Sequence, residues 1–175
     1  MVELDGFSGR HSIGAAHWQG KTFVFGGQDV MRDMIFNELY TFNHGKTEME
    51  KVEFLEEGLI VPKRRNSHCF VKSGSKVYVY GGANEEGPLN DAFVLDMQTS
   101  KFKRVTIAEP NNAPYFEMHT AHLYKGNQLL LIGGRSHVLP SQKDDPQAVE
   151  EAMRTPFRDT ILSLDLETGA LTEFA

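Results

Sequence analysis

Three glycine pairs, each closing an apolar run, constrain this chain more than any other feature. Gly26-Gly27 follows Phe23-Val24-Phe25, Gly81-Gly82 follows Val77 to Tyr80, and Gly133-Gly134 follows Leu129 to Ile132. The pairs stand 55 and 52 residues apart. A period near that length belongs to propeller blades, since ankyrin and leucine-rich repeats are much shorter. A run rich in small residues precedes each apolar run, at Ser12 to Ala16, Ser67 to Phe70 and Thr120 to Leu123, with a turn glycine between them at Gly20, Gly74 and Gly126. An alternating strand follows each pair, at Leu39 to Phe42, Ala92 to Leu95 and Ile161 to Leu164. These strands end on Asn43, Asp96 and Asp165, side chains that favour a turn. A fourth strand closes each unit, anchored by Met49 and Val52, Phe102 and Val105, and Leu171 and Phe174. Twelve strands joined by short turns make an all-β chain.

Residue type orders the strands within a unit. The blades of a propeller converge on an axis, so the strand carrying Gly, Ala, Ser, Thr and Cys is expected innermost. The second strand is nearly continuously apolar, as a strand covered on both faces must be. The paired glycines let the backbone leave the sheet in conformations that a side chain would forbid.

The middle unit reads Pro62, Arg65, His68, then Lys76 to Gly82, Asn90 to Asp96, and Thr99 with Phe102. This pattern resembles the kelch family, over nearly the whole chain. The family usually places Trp where Met49, Phe102 and Leu171 stand, so the copies are degenerate. The resemblance implies a kelch-type β-propeller segment of three four-stranded antiparallel blades. They span residues 10–54, 65–107 and 117–175, with an insertion at 135–158, in a single partial propeller. It also implies a non-catalytic protein–protein interaction module, although propellers host unrelated activities.

Three blades do not close a ring, because propellers usually carry four to eight. Only Val2-Glu3-Leu4 is left over as an extra strand. Each end blade would expose a sheet face of about 300 Å², and open sheet faces of that size invite association. The chain is therefore expected to self-associate or to join further blades; two copies would supply six.

Composition excludes other classes. A net charge of −6 argues against a nucleic-acid partner, and Lys63-Arg64-Arg65 is too short to reverse it. The single Cys69 forms no internal disulfide, no apolar leader opens the chain, and the longest apolar run is far too short for a membrane span. A soluble cytoplasmic chain with no membrane partner is expected.

Strand parity puts the loops between strands two and three, and the inter-blade connections, at one end of each blade. The long segments all belong there: Gln28 to Phe36, Ala83 to Pro88, Glu53 to Lys63, Ala108 to Tyr115, and Arg135 to Arg158. Extended loops on a rigid scaffold commonly carry function. The candidate binding set on this end is Arg10, Lys63, Arg64, Arg65, Arg135, His137 and Arg158. Arg10 and Arg65 each stand sixteen residues before a glycine pair, a count that puts Glu117 at the same place in the third blade. By resemblance to kelch proteins that grip acidic peptides, Arg10, Arg65 and Arg135 would contact a carboxylate, which an arginine fork binds bidentately. The alternative is salt bridging to loop acids such as Glu56, Glu57, Glu85 and Glu86. Within the insertion, Asp144 or Asp145 can cap a helix starting at Pro146, with Val149, Ala152 and Met153 on one face packed over the rim. A loop without structure is the alternative there.

No metal or cofactor is expected. His119 and His122 fall on opposite faces of a strand, His11 and His17 lie about 20 Å apart along one, and no zinc motif occurs. Cys69 reads as a small core residue, and no Gly-x-Ser-x-Gly, P-loop or dinucleotide motif is present. The enzyme alternative is a resemblance to kelch-like sialic-acid epimerases, with Glu117 and Arg65 or Arg135 as the pocket pair.

Overall fold

The computed structural model describes residues 7–46, 48–54, 60–136, 144–154 and 157–174. In chain order the first unit holds β1 (Gly14–Trp18), β2 (Lys21–Phe25), β3 (Gln28–Asp29), β4 (Met34–Ile35), β5 (Leu39–Asn43) and β6 (Glu48–Lys51). The second holds β7 (Cys69–Ser73), β8 (Lys76–Tyr80), β9 (Ala83–Asn84), β10 (Gly87–Pro88), β11 (Ala92–Asp96) and β12 (Lys101–Val105). The third holds β13 (Phe116–Glu117), β14 (Thr120–Tyr124), β15 (Gln128–Ile132), β16 (Arg135–Ser136), α1 (Pro146–Arg154), β17 (Ile161–Asp165) and β18 (Leu171–Phe174). Their long strands form three four-stranded antiparallel sheets, ordered β1-β2-β5-β6, β7-β8-β11-β12 and β14-β15-β17-β18. This is the expected all-β arrangement of kelch-type blades.

β7 packs between β1 and β14, so the small-residue strands do sit side by side on the inside of the stack. Side-chain alternation then explains why β8 lacks a polar face. Val77 and Val79 point with Phe93 and Leu95 into a core shared with Phe23, Phe25 and Leu39 of the first sheet. Tyr80 and Ala92, with Tyr78, point the other way, into a core shared with Leu129, Leu131, Leu162 and Leu164 of the third. Each fully buried Val, Leu or Phe in these two cores contributes about 1.5–3 kcal/mol.

Gly26, Gly27, Gly81, Gly82, Gly133 and Gly134 all adopt positive φ. They turn the chain out of each sheet into a second, smaller layer that sequence reading assigned to loops. There β3 pairs with β4 and β9 with β10, while β13 pairs with β16. Single bridges complete the pattern: His11 with Gln28, Asn66 with Ala83, and Arg135 with Phe157. The strand after each glycine pair thus lies between the head of the inner strand and the returning chain.

The register corrects one sequence equivalence. Gly14 faces Phe25, Cys69 faces Tyr80, and Thr120 faces Ile132. The β14–β15 turn, Lys125-Gly126-Asn127, is one residue longer than the turns at Gln19-Gly20 and Gly74-Ser75. Counting back from the third glycine pair therefore slips by one. Phe116, not Glu117, occupies the place of Arg10 and Arg65, and Glu117 aligns with His11 and Asn66.

The insertion contains the expected helix. Pro146 opens α1, and Asp145 caps it by accepting the Gln147 N–H at 2.9 Å. Its expected packing is only partly present: Val149 is half-buried, whereas Met153 is 74% exposed. Among the described residues, no helix is long and apolar enough to cross a membrane. Val2-Glu3-Leu4 lie outside the described residues, as do His137, Glu56 and Glu57.

Candidate functional site on the loop rim

The rim begins with the arginines at the heads of the inner strands, and here the structure revises the expected ligand set. Arg65 is fully buried. Its Nη1 and Nη2 donate to Asp91 Oδ1 and Oδ2 at 2.8 and 3.2 Å, Nη1 also to Gly81 O at 2.9 Å, and Nε to Lys63 O at 3.1 Å. The guanidinium also lies over the Phe93 ring, 5.2 Å from its centroid. Arg10 repeats the device: its side chain is 1% exposed, bonds Glu38 Oε2 at 3.1 Å, and sits 3.6 Å from the Phe36 ring centroid. Glu38 and Asp91 both immediately precede the third strand of their blade. Arg10 and Arg65 are thus clamps that fix the loop rim to its own blade, with the fork already filled by an internal carboxylate. In the third blade Phe116 replaces the arginine, and the Arg158 guanidinium lies 5.6 Å from its ring. Arg158 also bonds Glu173 at 2.7 Å.

The outer cations are exposed. Lys63 Nζ reaches Glu86 Oε2 at 2.6 Å, and Arg64 Nη1 reaches Glu85 Oε1 at 3.4 Å. These loop acids are two of the four named as alternatives to a ligand. The Lys63–Glu86 pair holds the lysine ammonium above and the glutamate carboxyl below their ordinary ranges. Arg135 is half exposed, with Nη1 3.9 Å from Glu117 Oε1. That contact follows from the β13–β16 ladder, where the two residues are direct partners.

Lys63 and Glu86 also edge a groove of about 590 Å³ between the second and third blades. Leu89, Asn90, Asp91, Arg104, Tyr115 and Val149 of α1 also line it. Arg104 Nη2 lies 3.8 Å from Asp91 Oδ2, so the groove lining carries both signs of charge together with the apolar side chains of Leu89 and Val149. Sequence reasoning missed Arg104 because it lies on β12 and reaches the rim only through the β11–β12 register, opposite Phe93.

Two histidines lie deep at the blade junctions. His68 and His119 are each 8% exposed, and neither ring nitrogen of either has a hydrogen-bond partner among the described residues. His68 stacks edge-on with Phe25 and Phe70, and His119 with Tyr80. Burial drives both imidazoles toward the neutral form, to about 3 for His68, assisted by the nearby Arg65 charge, and to about 4 for His119. Cys69 is buried, and desolvation pushes its thiol up to about 12, which is the state of an inert core cysteine. Among the described residues no group of three or more His, Cys, Asp or Glu could hold a metal ion.

Comparison with known proteins agrees with this architecture. The chain matches the KLHDC2/KLHL20/DRC7 Kelch-repeats domain over residues 2–169. It is 36% identical over 90 residues to the rat (Rattus norvegicus) "Kelch domain-containing protein 3", covering 50% of this chain and 22% of that protein. It is 28% identical over 116 residues to the Homo sapiens "Rab9 effector protein with kelch motifs", covering 66% and 30%. A third relative, the Rattus norvegicus "tRNA wybutosine-synthesizing protein 4", is 35% identical over 130 residues, covering 71% and 18%. The chain spans less than a third of the length of each of these relatives. With its repeated sheets, glycine exits and a family match over nearly all its length, the chain belongs to the kelch-repeat family.

Proposed function

We propose that this chain is a non-catalytic protein-interaction module that receives an acidic segment of a partner protein on its loop rim, while its open sheet faces associate with further blades. The groove between the second and third blades carries the rim reading. Its lining combines the cations Lys63 and Arg104 with Leu89, Tyr115 and Val149. Glu85 and Glu86, already seated on Arg64 and Lys63, mark the positions that carboxylates of an incoming peptide would take. Both pairs are solvent-exposed, so exchanging an internal carboxylate for a partner's costs little. The kelch relatives support the class, one of them being named an effector of Rab9.

Arg10 and Arg65 serve this surface by holding it, and the exposed Lys63, Arg64, Arg104 and Arg135 are the contact set. Glu117 and Arg135 do meet, as the epimerase-like alternative required. Their meeting is that of cross-strand neighbours, and Arg65 is withdrawn into its clamp; we place no reaction on the pair. Binding of a labelled glutamate-rich peptide, followed by fluorescence anisotropy, tests the rim. A salt-sensitive affinity that falls at least tenfold in the Lys63→Glu/Arg64→Glu variant is expected. Affinity unchanged by that double charge reversal would overturn the acidic-ligand reading.

A further inference from the structure

The β3–β4 and β9–β10 hairpins occupy the same place in the first and second blades, and their bases close in the same way. Phe36 N–H donates to Gly27 O at 3.0 Å in one, and Leu89 N–H to Gly82 O at 2.8 Å in the other. A side-chain cap two residues after each glycine pair then sets the turn. Asp29 Oδ1 accepts the Met31 and Arg32 N–H groups at 3.0 and 3.2 Å, and Asn84 Oδ1 accepts the Glu86 N–H at 2.9 Å. The two tips differ in kind. Counted from the glycines, Val30 and Met31 stand where the second blade has Glu85 and Glu86.

In the second blade the acidic tip is tied to the chain entering that blade, Glu86 to Lys63 and Glu85 to Arg64. Counting back equally from Arg10 gives Ser8 and Gly9 at those places in the first blade. The Ser8 hydroxyl accepts from Arg10 Nη2 at 3.0 Å, and neither residue offers an apolar surface to the tip. Val30 is accordingly 62% exposed and Met31 93%, with Met34 exposed beside them.

The tip is ordered rather than loose. Asp29 is buried, its Oδ2 accepts from Arg32 Nη1 at 2.8 Å, and the Asp33 N–H returns to Val30 O at 3.4 Å. Turns in water ordinarily carry Gly, Pro, Asn, Asp or Ser. A valine and a methionine held outward on a capped turn are apolar area kept on the surface, the mark of a contact site.

We infer that the Val30-Met31 tip is a docking prong that enters an apolar pocket of a partner protein. A hairpin tip is convex, so what receives it is concave, and the flexible thioether of methionine adapts to such a cavity. Charge decides against a lipid surface. Arg32 is neutralised by Asp29, and the exposed Asp33 leaves the tip net acidic, which an anionic membrane repels. The same residual charge favours a pocket bordered by a basic side chain. This contact lies on the first blade and does not rest on the acidic-segment groove between the second and third.

Cys69, the one cysteine of the chain, is buried and inert, so Met31→Cys supplies a single reactive thiol for a benzophenone maleimide. Irradiation in an extract of the source cells is expected to cross-link one protein, to be identified by mass spectrometry and purified. Calorimetric titration should show that protein binding the unlabelled wild type, with affinity at least tenfold lower for Val30→Ser/Met31→Ser. Both side chains are exposed, so the double variant should keep the wild-type thermal midpoint. Vesicles of phosphatidylcholine, with or without phosphatidylserine, should not co-sediment with the chain. Cross-links confined to the chain or its own copies, no captured protein, co-sedimentation with either vesicle, or an affinity indifferent to Val30→Ser/Met31→Ser would each overturn the proposal. Glutamate-rich peptide binding is expected to be unchanged in that variant, so the groove reading stands or falls separately.

Discussion

Arg65 shows why residue type alone misassigns a rim arginine. The guanidinium has a fixed fork that suits any carboxylate, internal or foreign. In this chain Asp91 stands at the end of the loop that folds back over it, and burial is complete. Removing one partner of a buried, hydrogen-bonded pair leaves the other uncompensated. Arg65→Ala is therefore expected to lower unfolding free energy by about 3–5 kcal/mol in urea titration, and to impair every rim function through folding. His68 and His119 add a pH dependence. Folding lowers both from an ordinary 6.5 to about 3 and about 4, so the unfolded chain binds more protons below pH 6.5. Stability is full above that pH and declines toward pH 4, by up to about 1.4 kcal/mol per pH unit for each histidine. Unfolding midpoints measured from pH 7 to 4 should fall in the wild type and fall less in His119→Gln.

At the scale of elements, the four-stranded sheets were legible because each strand carries its own signature. Small residues mark the inner strand, an unbroken apolar run marks the strand covered on both sides, and Asn or Asp marks the turn after the third. The small second layer was not legible, because strands such as Gln28–Asp29 and Ala83–Asn84 are too short to show periodicity. The third-blade register was missed for a similar reason: one extra turn residue leaves no trace in composition. Two glycines at positive φ separate backbone freedom from space. Gly126 (φ +81°) faces nothing within 4 Å, while a side chain at Gly81 (φ +64°) would strike Phe116 O of the next blade. Gly126→Ala should cost only the left-handed backbone term, about 1–2 kcal/mol. Gly81→Ala should cost visibly more, read as a lower thermal midpoint by circular dichroism, because backbone must move to relieve it.

For the whole molecule, the decisive property is that one blade-to-blade junction repeats along the stack. Each junction inside the stack buries an aromatic pair and satisfies three backbone bonds, whereas among the described residues nothing lies within 4 Å of a side chain placed at Gly133 and Ile13 is exposed. Where further blades cover the open sheet faces, the stability of the stack includes that association and depends on the concentration of what covers it.

By itself the sequence determined the blade count, the strand order within each blade, the family and the end of the blades that carries the long loops. All of these rest on local patterns of apolar and turn residues that any one repeat displays. Only the tertiary structure decided which cations face solvent, which residue heads the third inner strand, and that Arg104 joins the rim. Those outcomes depend on register and on partners distant in sequence, such as Asp91, 26 residues from Arg65. A linear pattern records that such a partner exists nowhere in particular; packing alone brings it within hydrogen-bond distance.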